Sequence, residues 1–229
     1  MMGTRRAIFL DRDGVIVQNV FYHDVQIWEA PRTLEDFKLV ANASVALKRL
    51  ADAAFELIVV SNQPNVALGK STAEDLDEID HAMVEELKAL GVTFLERCYC
   101  WHHPRSQHHD LGGPCACRKP SPYWIHRSAV RHGLELSQCW MIGDRETDSE
   151  CASRAQVKSI RIVNPLEVET ERKATATTAG VDRYTERLVG SLDAACELIL
   201  SNLVWREQQE FTAPTADEPY ASARAMPAK

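Results

Sequence analysis

Apolar residues in this chain cluster in short runs at 7–10, 57–60, 97–101, 139–142 and 158–163, each closed by polar or turn-forming positions. Runs this short, without polar alternation, predict strands buried on both faces, as a parallel sheet requires. Between them the spacing becomes helical. One helix is predicted over about 39–51. A second opens on Ser71-Thr72-Ala73-Glu74, read as a capping box, and runs to Leu90, where Gly91 stops it. Its stripe of Ile79, Met83, Val84 and Leu87 faces the core. A third helix is predicted from Pro122, favoured in a first turn, to Gly133, and Ser191 caps a last one ending near Trp205.

Strands that alternate with helices predict an α/β fold, a Rossmann-like parallel sheet flanked by helices. Residues 17–36 read as a long loop, and 164–182, rich in Thr, Ala and charge, as a surface connection. Residues 206–229 carry three prolines and little apolar content. The expected organisation is therefore one domain over 1–204 and a disordered tail over 205–229.

The net charge of −7 argues against general affinity for nucleic acid or anionic membranes. No apolar segment approaches the ~20 residues needed to span a bilayer. Arg5 and Arg6 precede only a strand-length apolar run, so no secretory leader and a cytoplasmic location are expected. Seven cysteines are an odd number, and three of them cluster with histidines, which favours metal binding over disulfides.

Four polar clusters carry candidate chemistry, three of them directly behind apolar runs. Asp11-Arg12-Asp13-Gly14 follows the first, Ser61-Asn62-Gln63 the second and Gly143-Asp144-Arg145-Glu146-Thr147-Asp148 the fourth; Arg118-Lys119-Pro120 stands between. In an open α/β sheet such positions share the C-terminal edge, where ligands bind. A turn with solvated acids would explain Asp-x-Asp-Gly alone. The four clusters in this order are hard to attribute to chance.

In these motifs the chain resembles the haloacid dehalogenase superfamily of phosphotransferases, over about residues 7–200. The resemblance implies a Mg²⁺-dependent phosphatase. Asp11 is then the nucleophile that forms an aspartyl-phosphate, and Asp13 the acid/base, its main-chain carbonyl also on the metal. Asp11, Asp13 and Asp144 form the Mg²⁺ set, with Asp148 a weaker candidate. Ser61, Asn62, Gln63, Arg118, Lys119 and Arg145 form the phosphate- and substrate-binding set. Physical chemistry agrees: a polyanionic ester repels an anionic nucleophile unless cations neutralise the site, and Mg²⁺ prefers oxygen ligands.

Cys100-x-His102 and Cys115-x-Cys117 offer three thiolates and an imidazole, the donor set of a closed structural Zn²⁺ site. Cys100 and His102, two apart at a strand end, point to one face. His103, His108 and His109 are alternatives to His102, and Cys98 reads as a core thiol. Cys117 directly precedes Arg118-Lys119, so the metal would staple the loop that presents these cations.

Tyr99-Cys100-Trp101-His102-His103-Pro104 and Cys115-Ala116-Cys117-Arg118-Lys119-Pro120 are similar to the D-glycero-D-manno-heptose 1,7-bisphosphate phosphatases and, behind them, to the histidinol-phosphate phosphatases. This implies small loops in place of a large cap domain, a small phosphorylated substrate and a monomer. A polynucleotide 3′-phosphatase is a further relative, disfavoured by the acidic balance. The chain departs from the pattern at Leu68, where an Arg is expected, and in a longer first loop carrying Phe21, Tyr22, His23 and Trp28.

Overall fold

The computed structural model describes residues 5–164 and 187–212, with side chains in the last helix up to Leu203. Its elements run β1 (Arg6–Leu10), β2 (Val20–Tyr22), β3 (Ile27–Glu29), α1 (Ala43–Asp52), β4 (Phe55–Asn62), α2 (Ala73–Ala89), β5 (Glu96–Cys100), α3 (Tyr123–His132), β6 (Trp140–Gly143), α4 (Glu146–Arg154), β7 (Lys158–Ile162), β8 (Arg187–Val189) and α5 (Leu192–Thr212). Six strands form one sheet in the order β5-β4-β1-β6-β7-β8, and every neighbouring pair is parallel.

The alternation of the strands explains why their sequences are apolar throughout. Ile8 and Leu10 of β1 and Leu57 and Val59 of β4 face one layer, where α1, α2 and α5 supply Leu47, Leu50, Met83, Leu87 and Ile199. Ala7, Phe9, Ile58 and Val60 face the other, against Ile125 of α3 and Cys151 and Ala152 of α4. Burying a Leu or Ile contributes roughly 1.5–3 kcal/mol, so both layers are needed to hold β1 at the centre.

All five predicted strands form. The sixth, β8, is a short edge strand with two exposed residues, too brief and too polar to register as an apolar run. Part of the loop expected over 17–36 is an antiparallel hairpin, β2 with β3, outside the main sheet. Among the described residues nothing domain-sized interrupts the fold, as the expected absence of a large cap requires.

Helix α1 starts later than predicted because Leu39 bridges Val17 and Asn42 adopts a left-handed conformation, which holds the lead-in non-helical. The capping box of α2 lies one residue further on than predicted: Thr72 accepts from the Asp75 N–H at 3.1 Å, and Asp75 accepts from the Thr72 N–H at 2.8 Å. Helix α3 ends at Gly133 in the left-handed conformation, as predicted. Helix α5 continues past Trp205 to Thr212. The predicted connection beyond Asn164 and the remainder of the expected tail lie outside the described residues. Among the described residues no helix is long and apolar enough to cross a membrane.

Candidate active site

Strands β4, β1 and β6 are adjacent, so the residues that follow them meet at one edge of the sheet. The register pairs Leu10 with Val59 and with Ile142, and the Asp11 N–H donates to the Ile142 carbonyl at 2.9 Å. Asp11, Asp144 and Asp148 thereby bring carboxylate oxygens within 4.8 Å of one another.

Lys119 enters this cluster fully buried. Its ammonium is ion-paired with Asp11 Oδ2 at 2.9 Å and Asp148 Oδ1 at 2.6 Å, and it donates to the Val60 carbonyl at 2.8 Å. Burial opposes the charge, but the Asp11 and Asp148 carboxylates outweigh it and hold the ammonium above its usual range. Burial, with the charges of Asp11 and Asp148, pushes Asp144 well above the carboxylate range. Asp148 is also raised by burial, against the pull of Lys119.

Asp144 is thus a buried acid poorly satisfied by protein groups. Asn19 donates to its Oδ2 at 3.1 Å, while its Oδ1 is buried without a hydrogen bond from the described residues. A hard divalent cation between Asp11 and Asp144 would satisfy that oxygen and lower the cost of crowding the acids, so the donor set fits Mg²⁺. Backbone approach is close here. A Cβ on Gly14, whose φ is +76°, would lie 2.2 Å from Asp144 Oδ2, and one on Gly143 would lie 2.2 Å from the Asp148 Cβ.

The other predicted residues separate into two groups. Asp11, Asp13, Asn62, Arg118, Lys119 and Arg145 line a cavity of about 590 Å³, together with Trp28, Leu68 and neighbouring residues of the hairpin and of the segment after β4. Ser61 and Gln63 do not. Gln63, expected on the substrate, is turned inward, where it bonds Arg12, Asp13 and Ser61. Asn62 clamps the Lys119 backbone, accepting its N–H at 2.9 Å and donating to its carbonyl at 3.2 Å. Asp13 points its carboxylate at Arg12 and Gln63, so the third carboxylate near Asp11 and Asp144 is that of Asp148.

The metal-type cluster forms as the spacing predicts, with His102 selected over its neighbours. The donor atoms of Cys100, His102, Cys115 and Cys117 lie within 4.8 Å of one another. The separations are 3.6 Å from Cys100 Sγ to Cys115 Sγ, 3.7 Å from Cys100 Sγ to His102 Nδ1 and 3.5 Å from Cys117 Sγ to His102 Nδ1. A tetrahedron with Zn–S bonds of about 2.3 Å has edges of about 3.8 Å, so the set is compatible with Zn²⁺. Cys98 stays in the core beside Ser128, and burial raises its thiol to about 11. The cluster connects to the site through Arg118, whose Nη1 donates to the His102 carbonyl at 3.0 Å.

Two residues escaped the sequence reading. Asn19 belongs to no recognisable motif, and its role depends on the turn at Gly14. Arg12 lay inside the motif already noted, and a cation between two acids was a readable signal of an ion pair.

A HAD-hydrolase-like family model matches residues 116–182. The D-glycero-beta-D-manno-heptose-1,7-bisphosphate 7-phosphatase of Helicobacter pylori (strain ATCC 700392 / 26695) is 33% identical over 168 residues, which cover 72% of this chain and 88% of that protein. The chain belongs to this family of HAD-like phosphatases. Another member, the D-glycero-alpha-D-manno-heptose-1,7-bisphosphate 7-phosphatase of Photorhabdus laumondii, is 30% identical over 66% of this chain and 79% of its own length. The fold agrees with the family: the D,D-heptose 1,7-bisphosphate phosphatase of B. bronchiseptica, solved with magnesium and phosphate, superposes with a TM-score of 0.68 at 24% identity. That match covers 87% of this chain and 99% of the other.

Proposed function

We propose that the chain is a Mg²⁺-dependent phosphatase of a small sugar phosphate, first of all D-glycero-D-manno-heptose 1,7-bisphosphate at its 7-phosphate, acting as a cytoplasmic monomer. The observation that carries this reading is Asp11 at the centre of the sheet edge, ion-paired to buried Lys119 and facing the cavity that Arg118 and Arg145 also line. Asp11 attacks phosphorus in line and becomes the aspartyl-phosphate. Asp13 protonates the leaving oxygen and then takes the proton of the attacking water. Ser61 and Lys119 stabilise the transferring phosphoryl group, and Arg118 and Arg145 hold phosphate oxygens from the cavity wall. Asp11, Asp144 and the Asp13 main-chain carbonyl would hold Mg²⁺, which supplies charge neutralisation at the phosphoryl group.

Cys100, His102, Cys115 and Cys117 would hold one structural Zn²⁺. Four protein ligands leave no open position, so its part is to fix Arg118 and Lys119 in place. A second reading, histidinol phosphate or another sugar phosphate, is favoured by the apolar side chains Trp28 and Leu68 on the cavity wall.

The test is phosphate release from a panel containing both heptose 1,7-bisphosphate anomers, histidinol phosphate and a 3′-phosphorylated oligonucleotide. Heptose bisphosphate should give the highest kcat/KM, and Asp11→Asn should abolish turnover. Negligible release from every sugar phosphate, or an Asp11→Asn variant as active as the parent, refutes the reading.

A further inference from the structure

Asp13 is held as no other carboxylate in the site is. Its Oδ1 accepts from Arg12 Nε at 3.0 Å, and its Oδ2 accepts from Arg12 Nη2 at 3.2 Å and from Gln63 Nε2 at 2.6 Å. The two donors of Arg12 make a fork that fixes the plane of the carboxylate as well as its position.

Neither partner serves the cavity. Arg12 is 1% exposed and Gln63 1% exposed, and neither lines it. A guanidinium this deep requires a counter-charge and acceptors, since a buried charge without them costs several kcal/mol or more. It finds them in Asp13 and in Gln63 Oε1, 2.7 Å from its Nη2. The Tyr99 ring covers it, 6.0 Å from the guanidinium carbon, and the Tyr99 hydroxyl is tied to Asp80 of α2.

Gln63 closes the network. Its carbonyl accepts from Arg12, and its amide donates both to Asp13 and, at 3.0 Å, to Ser61 Oγ. Only a carboxamide of this length offers an acceptor to the cation and a donor to the acid from one planar group. Because Ser61 Oγ accepts here, its own hydrogen is left to be donated elsewhere.

We infer that Arg12 and Gln63 are positioning residues for Asp13, fixing the plane and place of the acid/base at the cavity wall where the leaving oxygen would lie. The inference rests on the phosphatase reading above. As the bond from Asp11 to phosphorus forms and the bond from phosphorus to the sugar oxygen breaks, the proton of Asp13 passes to that oxygen. A general acid set in the right geometry contributes roughly 10²–10⁴-fold, and a shift of its carboxyl forfeits part of that factor.

A leaving group that needs no proton separates this role from a structural one. Departure of p-nitrophenolate needs no acid, whereas departure of a sugar alkoxide does. Gln63→Met keeps the length and bulk of the side chain but makes none of its three hydrogen bonds. We expect it to lower the ratio of kcat/KM for heptose 1,7-bisphosphate to kcat/KM for p-nitrophenyl phosphate by about 10-fold or more. Arg12→Lys, which keeps the charge without the fork, should lower the same ratio. Any contribution of Ser61 to the phosphoryl group is common to both substrates and cancels.

If either variant melts at a lower temperature, the ratio is measured below the new transition and still decides. Equal losses on both substrates, or none, overturn the inference. A parent protein that hydrolyses neither substrate overturns the phosphatase reading and this inference with it, while a normal parent with an unchanged ratio in the variants overturns the positioning role alone.

Discussion

Lys119→Met tests the central electrostatic arrangement. The change keeps the aliphatic stem, so little packing is lost, but removes the ammonium that bridges Asp11, Asp148 and the Val60 carbonyl. Asp148 is then buried beside Asp11 and Asp144 without its cation. Removing one partner of a buried ion pair costs about 3–5 kcal/mol. That is a large share of a total stability of about 5–15 kcal/mol. For a chain of this length each kcal/mol moves the melting temperature by about 2–4 °C, so a fall of about 6–20 °C is expected. Differential scanning calorimetry without metal reads it directly. The companion variant Asp148→Asn removes the excess charge, and the double variant should recover part of the loss, with a coupling energy of about 1–3 kcal/mol. A fall under about 3 °C, or strictly additive losses, would refute the view that Lys119 neutralises this cluster.

Three further outcomes follow from the geometry. Gly14→Ala places a Cβ 2.2 Å from Asp144 Oδ2 at a backbone φ of +76°, so the Mg²⁺ concentration needed for half-maximal activity should rise by about 10-fold or more, read from magnesium titrations of turnover. Metal analysis of the parent should find one zinc per chain, and Cys115→Ser should remove it and lower the melting temperature, while a parent that is zinc-free and fully active contradicts the staple. Without metal, the raised Asp144 carboxyl makes the native state bind more protons than the unfolded chain above the ordinary value of 3.8, so its contribution to stability falls as pH rises through that window. Mg²⁺ competes with that proton, and the rise in melting temperature on adding Mg²⁺ should therefore grow as pH rises above the ordinary carboxylate range; a rise independent of pH would count against Asp144 as a ligand.

The catalytic edge was legible because Asp11, Ser61 and Asp144 each close an apolar run, and a parallel sheet aligns the ends of its strands. The Cys/His cluster was legible because its donors come in pairs two residues apart on either side of one loop. The inward role of Gln63 was not. It depends on Asp13 and Gln63, fifty residues apart, meeting across the β1–β4 pair, and a sequence motif carries no direction for a side chain. The hairpin was missed because its strands are three residues long and its turn uses Gln26 at φ +55° where a glycine would have announced it.

Among the described residues the hairpin strands pair only with each other, β2 against β3; Arg32 with Glu29 and Tyr22, and Tyr22 with Asp36, brace the segment internally, while Glu29 to Lys70 and the Asn65 amide to the Pro31 carbonyl tie it to the body. No backbone bond of the main sheet depends on it, yet Gln26 to Ala30 form part of the wall that a substrate meets. The molecule is thus separable into a fixed engine and an exchangeable faceplate. Grafting a different hairpin between Asn19 and Asp36 would retarget the enzyme while leaving Asp11, Lys119 and Asp144 as they are, a route open to descent and to the bench alike.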